Sequence, residues 1–108
     1  MRLSSSDINN IITALTPFAA PYGCELRLFG SRVNDEAKGG DIDLMLLVND
    51  ENQVEPLLLE KHRMLATIKN LIGDQKIDLV IASPKRIQND AFLEMVFPKS
   101  VILKEWRL

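Results

Sequence analysis

Two aspartates, Asp41 and Asp43, flank a single isoleucine at the start of an apolar run that covers residues 44–48. Such a run is typical of a β-strand, and in a strand residues i and i+2 point to the same side. We therefore expect the two carboxylates to project together, while Ile42 and Leu44 face the other way. Neighbouring carboxylates repel each other unless a cation lies between them, and oxygen ligands of this kind suit Mg²⁺.

A third aspartate, Asp78, lies in a second strand-like run over residues 76–82. Its neighbours are apolar, and an ionisable group in such a strand costs free energy unless it is paired or binds a metal. Two strands, one with a pair of carboxylates and one with a single carboxylate, can bring all three to one point. That arrangement is typical of metal-assisted phosphoryl or nucleotidyl transfer, whereas an isolated Asp-x-Asp is often only a solvated turn.

A Gly-Ser turn precedes the aspartate pair and follows an alternating run over residues 25–29, which predicts the first strand. Gly30 would let the backbone approach a nucleotide closely. Ser31 would open a short helix over about residues 31–35, and the free N–H groups of that helix can face a triphosphate. Ser31 could instead simply cap this helix, and Arg32 could be a solvated surface residue.

These motifs together resemble the minimal nucleotidyltransferases of the DNA polymerase β superfamily. The resemblance is strong over residues 25–82 and rests on three motifs in order, which are Gly30-Ser31-Arg32, Gly40-Asp41-Ile42-Asp43-Leu44, and Asp78 after a helix. The chain departs from the common family pattern in having Asp35 in place of glycine and Gly40 in place of serine.

The resemblance implies a polymerase-β-like core with roles for six residues. Gly30, Ser31 and Arg32 would bind a nucleoside triphosphate, expected to be ATP. The catalytic and metal-binding residues would hold Mg²⁺, and they are Asp41, Asp43 and Asp78. The last of these would either take the proton from the attacking hydroxyl or only complete the metal shell.

Members of this group are often paired, as antitoxins, with a HEPN-domain ribonuclease toxin. The resemblance therefore implies transfer of AMP to a hydroxyl side chain of such a partner, because little chain remains after Asp78 to hold an acceptor. Two alternatives stay open. The chain could be a non-catalytic antitoxin that covers the active site of a toxin, or it could modify a small molecule such as an aminoglycoside.

The composition limits the class of protein. A length of 108 residues predicts a single domain over residues 1–108, and the net charge of −2 does not favour strong nucleic-acid binding. No apolar run is long enough to span a bilayer, and the first residues do not look like a signal peptide. The single cysteine, Cys24, excludes an intramolecular disulfide, and we expect a cytoplasmic protein without a membrane partner.

Helical and strand patterns alternate along the chain, and they predict an α/β (α+β) fold with a small mixed sheet flanked by helices. Prolines, glycines and capping residues predict the ends of the helices. We expect a first helix that ends at Pro17, a central helix from Pro56 to Gly73, one helix that begins after Ser83 and ends at Pro98, and an edge strand at residues 101–103.

Four further predictions concern residues outside these motifs. His62 is expected to be buried or at an interface, and Lys76 is expected to pair with Asp78. Leucines 57–59 are expected to pack in the core or, in part, against a partner. Trp106 is expected either to close the core or to anchor a partner.

Overall fold

The computed structural model describes residues 3–30 and 41–108, and within them the chain forms four α-helices and four β-strands. The helices are α1 (Ser5–Ala19), α2 (Val54–Ile72), α3 (Pro84–Gln88) and α4 (Ala91–Val96). The strands are β1 (Glu25–Phe29), β2 (Ile42–Leu47), β3 (Ile77–Ala82) and β4 (Val101–Glu105). The predicted α+β fold class is confirmed.

The strands form one mixed sheet in the order β3-β2-β1-β4. β1 runs antiparallel to β2 and to β4, and β2 runs parallel to β3. Parallel neighbours need a crossover connection, and α2 provides it between β2 and β3. The predicted edge strand at residues 101–103 is present and continues to Glu105.

One face of the sheet carries the main hydrophobic core. Every second residue of β1, β2 and β3 is apolar and points toward α1 and α2, as period-two alternation requires. Full burial of one such side chain contributes about 1.5–3 kcal/mol. The fully buried members on β1 to β3 are Leu26, Leu28, Ile42, Leu44, Leu46 and Leu79, and they pack with Ile11, Leu15, Leu57, Met64 and Ile68 of the helices.

The opposite face of the sheet has a smaller cover. α3 and α4 supply Ile87 and Leu93, which pack on a second cluster formed by Phe29, Met45 and Ala82. These helices are only five and six residues long. These two helices do not cover the part of this face that carries Asp43 and Asp78.

The end of α1 differs from the prediction. The helix does not stop at Pro17 but continues to Ala19, which is fully buried. Proline removes one intrahelical hydrogen bond, yet the turn beyond it places Phe18 and Ala19 against the core. Burial of this last turn offsets the missing bond.

The predicted limits of the central helix are half correct. Gly73 caps the C-terminus of α2 with φ +83°, as expected. The N-terminus lies two residues before Pro56, at Val54, because a 3-10 turn over Glu51–Gln53 leads directly into the helix.

The single helix predicted after Ser83 is wrong. Ser83 does cap α3, accepting a hydrogen bond from the Arg86 N–H at 3.2 Å. The helix then breaks, because Asp90 accepts from the N–H of Leu93 at 3.1 Å and so caps a new helix, α4. Short polar side chains compete in this way with a continuous helix. Met95 of α4 is 59% exposed.

Two aromatic predictions have different outcomes. Trp106 is buried, and its Nε1–H donates to Thr16 Oγ1 at 3.0 Å, so it closes the core between β4 and α1. His62 is exposed, so the prediction that it is buried is wrong, and its alternative position at an interface stays a prediction. The buried side of α2 carries Leu57 and Met64, and position 62 faces away from that side at 100° per residue.

In the part of the chain that the structure describes, no helix has the length and apolar character needed to cross a membrane.

Two leucines of α2 allow a matched test of this packing. Leu57 is fully buried and Leu59 is 82% exposed. We expect Leu57→Ala to lower the free energy of unfolding by about 2–5 kcal/mol, since it leaves a cavity. Leu59→Ala should change it by less than about 0.5 kcal/mol. Urea denaturation of both variants measures the difference, and equal losses would contradict the packing described here.

Candidate functional site

Asp43 and Asp78 lie side by side on neighbouring strands. The parallel register of β2 and β3 pairs their Cα positions and likewise pairs Ile42 with Ile77. Paired residues project from the same face of a sheet, so both carboxylates lie on the face that α3 and α4 only partly cover. Asp43 is half-buried and Asp78 is exposed. The sheet thus brings together two of the three aspartates that the sequence predicted to meet.

Asp41 lies just before β2, next to the residue that precedes β3. The Ile42 N–H donates to the Lys76 carbonyl at 2.9 Å, and Lys76 Nζ lies 3.6 Å from Asp41 Oδ2. The predicted partner of Lys76 was Asp78, and the pairing found with Asp41 corrects it. Residue 76 is level with Asp41 in the register, so its side chain reaches this carboxylate. The pair is exposed and contributes little to stability.

The pKa of Asp43 reports how these carboxylates act on one another. Partial burial raises the pKa of Asp43 above its usual value of 3.8, and the negative charges of Asp78 and Asp41 raise it further, in that order. All three aspartates therefore belong to one electrostatic cluster. A cation bound among them would relieve this repulsion.

Gly30 lies directly against the Asp43 side chain. Phe29 pairs with Asp43 across the antiparallel β1–β2 ladder, and Gly30 follows it with φ +77°. A Cβ at Gly30 would overlap the Asp43 carboxylate and lie only 3.1 Å from its Cγ. The position needs glycine both for its backbone conformation and for this close approach.

Five predicted features lie outside the described residues: Ser31, Arg32, the short helix over about residues 31–35, and the departures from the family pattern at Asp35 and Gly40. The roles of Ser31 and Arg32 in nucleotide binding stay predictions.

The chemistry of the carboxylates fits a divalent cation, because they are hard oxygen donors that share one face and repel one another. Their spacing is not that of a ready-made metal site. Over residues 3–30 and 41–108, no group of three His, Cys, Asp or Glu side chains is arranged to hold a metal ion. The assignment of Mg²⁺ to Asp41, Asp43 and Asp78 stays a prediction.

A surface groove of about 410 Å³ lies at the other end of β1 and β2. Cys24 and Trp106 are among its lining residues, and none of the predicted site residues is. Burial raises the pKa of the Cys24 thiol to about 11, so this thiol is protonated and inert at neutral pH. The carboxylate face, rather than this groove, is therefore the better candidate for chemistry.

Sequence reasoning missed the part that Phe29 plays in the site. This residue is the direct strand partner of Asp43, and its ring contacts Phe92 of α4. The antiparallel pairing of β1 with β2 was the signal that could have found it, since that pairing places the end of one strand beside the start of the other.

A model of the family described as nucleotidyltransferase domain matches residues 10–106. The chain therefore belongs to the nucleotidyltransferase domain family, and its mixed α+β fold is consistent with the fold of that family. A comparison with curated proteins found no match.

The raised pKa of Asp43 predicts a stabilising substitution. Because the folded protein holds this proton more tightly than the unfolded chain, stability falls as pH rises from below 3.8 through the raised pKa. We expect Asp43→Asn to raise the Tm at neutral pH, in a metal-free buffer, by about 1–4 °C, and to lose this advantage below pH 3.8. Asp74→Asn, an exposed control, should leave the Tm unchanged. A lower Tm for Asp43→Asn at neutral pH would contradict the assignment.

The contact between Gly30 and Asp43 predicts an energetic coupling. Gly30→Ala should destabilise the wild-type chain by about 1–3 kcal/mol more than it destabilises an Asp43→Ala chain, because removal of the carboxylate removes the overlap. Denaturant unfolding of the four proteins of this cycle measures the coupling. As a control, Gly73 also has a positive φ but has no atom within 4 Å of a built Cβ. Gly73→Ala should therefore lower the free energy of unfolding equally in the wild-type and Asp43→Ala chains. Equal losses for Gly30→Ala in the two chains would contradict a contact between Gly30 and Asp43.

Proposed function

We propose that this chain transfers AMP from ATP to a hydroxyl side chain of a partner protein, a HEPN-domain ribonuclease toxin, and so acts as its antitoxin. The observation that carries the transferase part is the alignment of Asp43 with Asp78 on neighbouring parallel strands in a chain of the nucleotidyltransferase domain family. The choice of partner rests on the resemblance of the Gly-Ser and Asp-x-Asp motifs to the minimal nucleotidyltransferases. The proposal keeps the cytoplasmic location predicted from the sequence.

In this proposal the acceptor oxygen attacks the α-phosphorus of ATP. A new bond forms between that oxygen and phosphorus, the bond from the α-phosphorus to the bridging oxygen breaks, and pyrophosphate leaves with the electron pair. Asp78 takes the hydroxyl proton or passes it to solvent. Its exposure supports this role, since a buried carboxylate could not meet an acceptor from another molecule.

The other residues bind and orient the nucleotide. Asp41 and Asp43 would hold Mg²⁺, which when bound neutralises charge on the phosphate oxygens. Gly30 keeps the backbone close to Asp43. Ser31 and Arg32 would contact phosphate oxygens. Most of the catalysis would come from positioning and charge neutralisation.

The exposure of Asp78, where an acceptor from another protein would approach, also supports the proposal. α3 and α4 cover the apolar part of the carboxylate face, around Met45 and Ala82, and leave Asp78 exposed. A side chain of a second protein can therefore reach the carboxylates without displacing a described element of this chain.

Intact masses test the proposal. The purified chain, its HEPN partner and Mg-ATP should give a partner that is heavier by one or more AMP units. Asp43→Asn and Asp78→Asn should lower the rate by at least about 10²-fold. Asp74→Asn, which replaces an exposed aspartate between α2 and β3, should act at the wild-type rate. An unchanged partner mass would overturn the transferase claim.

Toxin neutralisation separates the transferase from a non-catalytic antitoxin. In cells that express the toxin, Asp43→Asn should fail to restore growth although it still folds. Restored growth with this variant would favour neutralisation by binding alone.

A further inference from the structure

Phe92 is a large apolar side chain that α4 leaves half exposed next to the candidate site. It is 50% exposed, and its ring centroid lies 6.2 Å from that of Phe29. Phe29 is in turn the direct strand partner of Asp43. Phe92 therefore contacts the residue that pairs directly with Asp43.

The geometry of the two rings leaves room for a stacking partner. Their planes make an angle of 69°, which is an edge-to-face contact. Phe29 therefore covers at most one face of the Phe92 ring, and half of the Phe92 side chain is exposed. An exposed aromatic face is the feature with which proteins hold unpaired nucleobases, because every base has a π-face.

The surrounding contacts hold Phe92 in place. The next residue, Leu93, is buried in the second cluster, and its N–H is bonded to the Asp90 cap. Leu93 thus ties α4 to the sheet next to the exposed ring, and the Asp90 cap fixes the first turn of the helix. A ring fixed in this way loses little side-chain entropy when a flat ligand binds.

The other large apolar side chains exposed on the helices are aliphatic and offer no ring for stacking. Leu59, Leu71 and Met95 are 82%, 45% and 59% exposed, but scattered exposed apolar residues are normal in proteins. Only Phe92 among these four is joined, through the ring of Phe29, to the strand pair that carries Asp43.

We propose that Phe92 forms the nucleobase subsite, with the base of the nucleoside triphosphate stacked on its exposed side while the phosphates reach the carboxylates. The inference rests on the proposed function, from which it takes the position of the phosphates. Stacking does not read hydrogen-bond edges, so this subsite favours purine over pyrimidine nucleotides, because purines have the larger ring, and distinguishes ATP from GTP only weakly.

Binding of Mg-ATP and of magnesium tripolyphosphate, which has no base, tests the subsite by calorimetry. Phe92→Ala should weaken ATP binding at least about fivefold and leave tripolyphosphate binding unchanged. Phe92→Trp should bind ATP at least as tightly as the wild type. Met95→Ala, a change on the same helix, should match the wild type for both ligands.

Fluorescence gives a second measurement that does not depend on activity. The native Trp106 is buried, so a tryptophan introduced by Phe92→Trp adds an exposed emitter. Its emission should be quenched by ATP and by GTP, less by CTP, and not by tripolyphosphate.

Four results would overturn the inference, and they differ from one another. If Phe92→Ala bound ATP with wild-type affinity, the base would not stack on this ring. If Phe92→Ala lost only its binding to the HEPN partner, the ring would belong to a protein contact instead. An equal loss of ATP and tripolyphosphate binding would make Phe92 a structural residue. A wild-type chain that binds neither ligand would overturn the proposed function and the subsite with it.

Discussion

The candidate site depends on the register between β2 and β3, which places two like charges next to each other. Hydrophobic burial fixes this register, because Ile42, Leu44 and Leu79 are completely buried on the opposite face of the sheet. A slip of one residue in either strand would move these side chains into solvent and the aspartates into the core. Packing of the core on one face of the sheet therefore keeps the two repelling carboxylates next to each other on the other face.

Several structural features around this pair of aspartates are energetically unfavourable. The pKa of Asp43 is raised, which means that its ionised form is held in an unfavourable environment at neutral pH. Gly30 gives up backbone entropy so that the chain can approach that carboxylate. α3 and α4 are short and leave part of the sheet uncovered. Costs of this kind are common where a site is retained for function rather than for stability, and they agree with the nucleotidyltransferase family of the chain.

The alternation of apolar and polar residues with period two predicted the first three strands of the sheet well. It predicted the bounds of β1, the position of Asp43 in β2, and a strand around Asp78. The predicted helix ends were wrong where tertiary contacts or local hydrogen bonds determine where a helix begins or ends, as at Pro17 and at the Asp90 cap. Neither the contact between Phe29 and Phe92 nor the pairing of Lys76 with Asp41 follows from spacing along the chain, because both depend on how separate elements meet. The proposed roles of Ser31 and Arg32 remain predictions from the motif alone.

The position of the label in ATP tests the central claim most directly. The chain, its HEPN partner and Mg²⁺ are incubated with ATP labelled at either the α-phosphate or the γ-phosphate, and the partner is then isolated under denaturing conditions. Our account predicts that label from the α-position stays on the partner, that label from the γ-position does not, and that Asp43→Asn abolishes the signal. Label from the γ-position on the partner, or no label from either, would contradict nucleotidyl transfer by this chain.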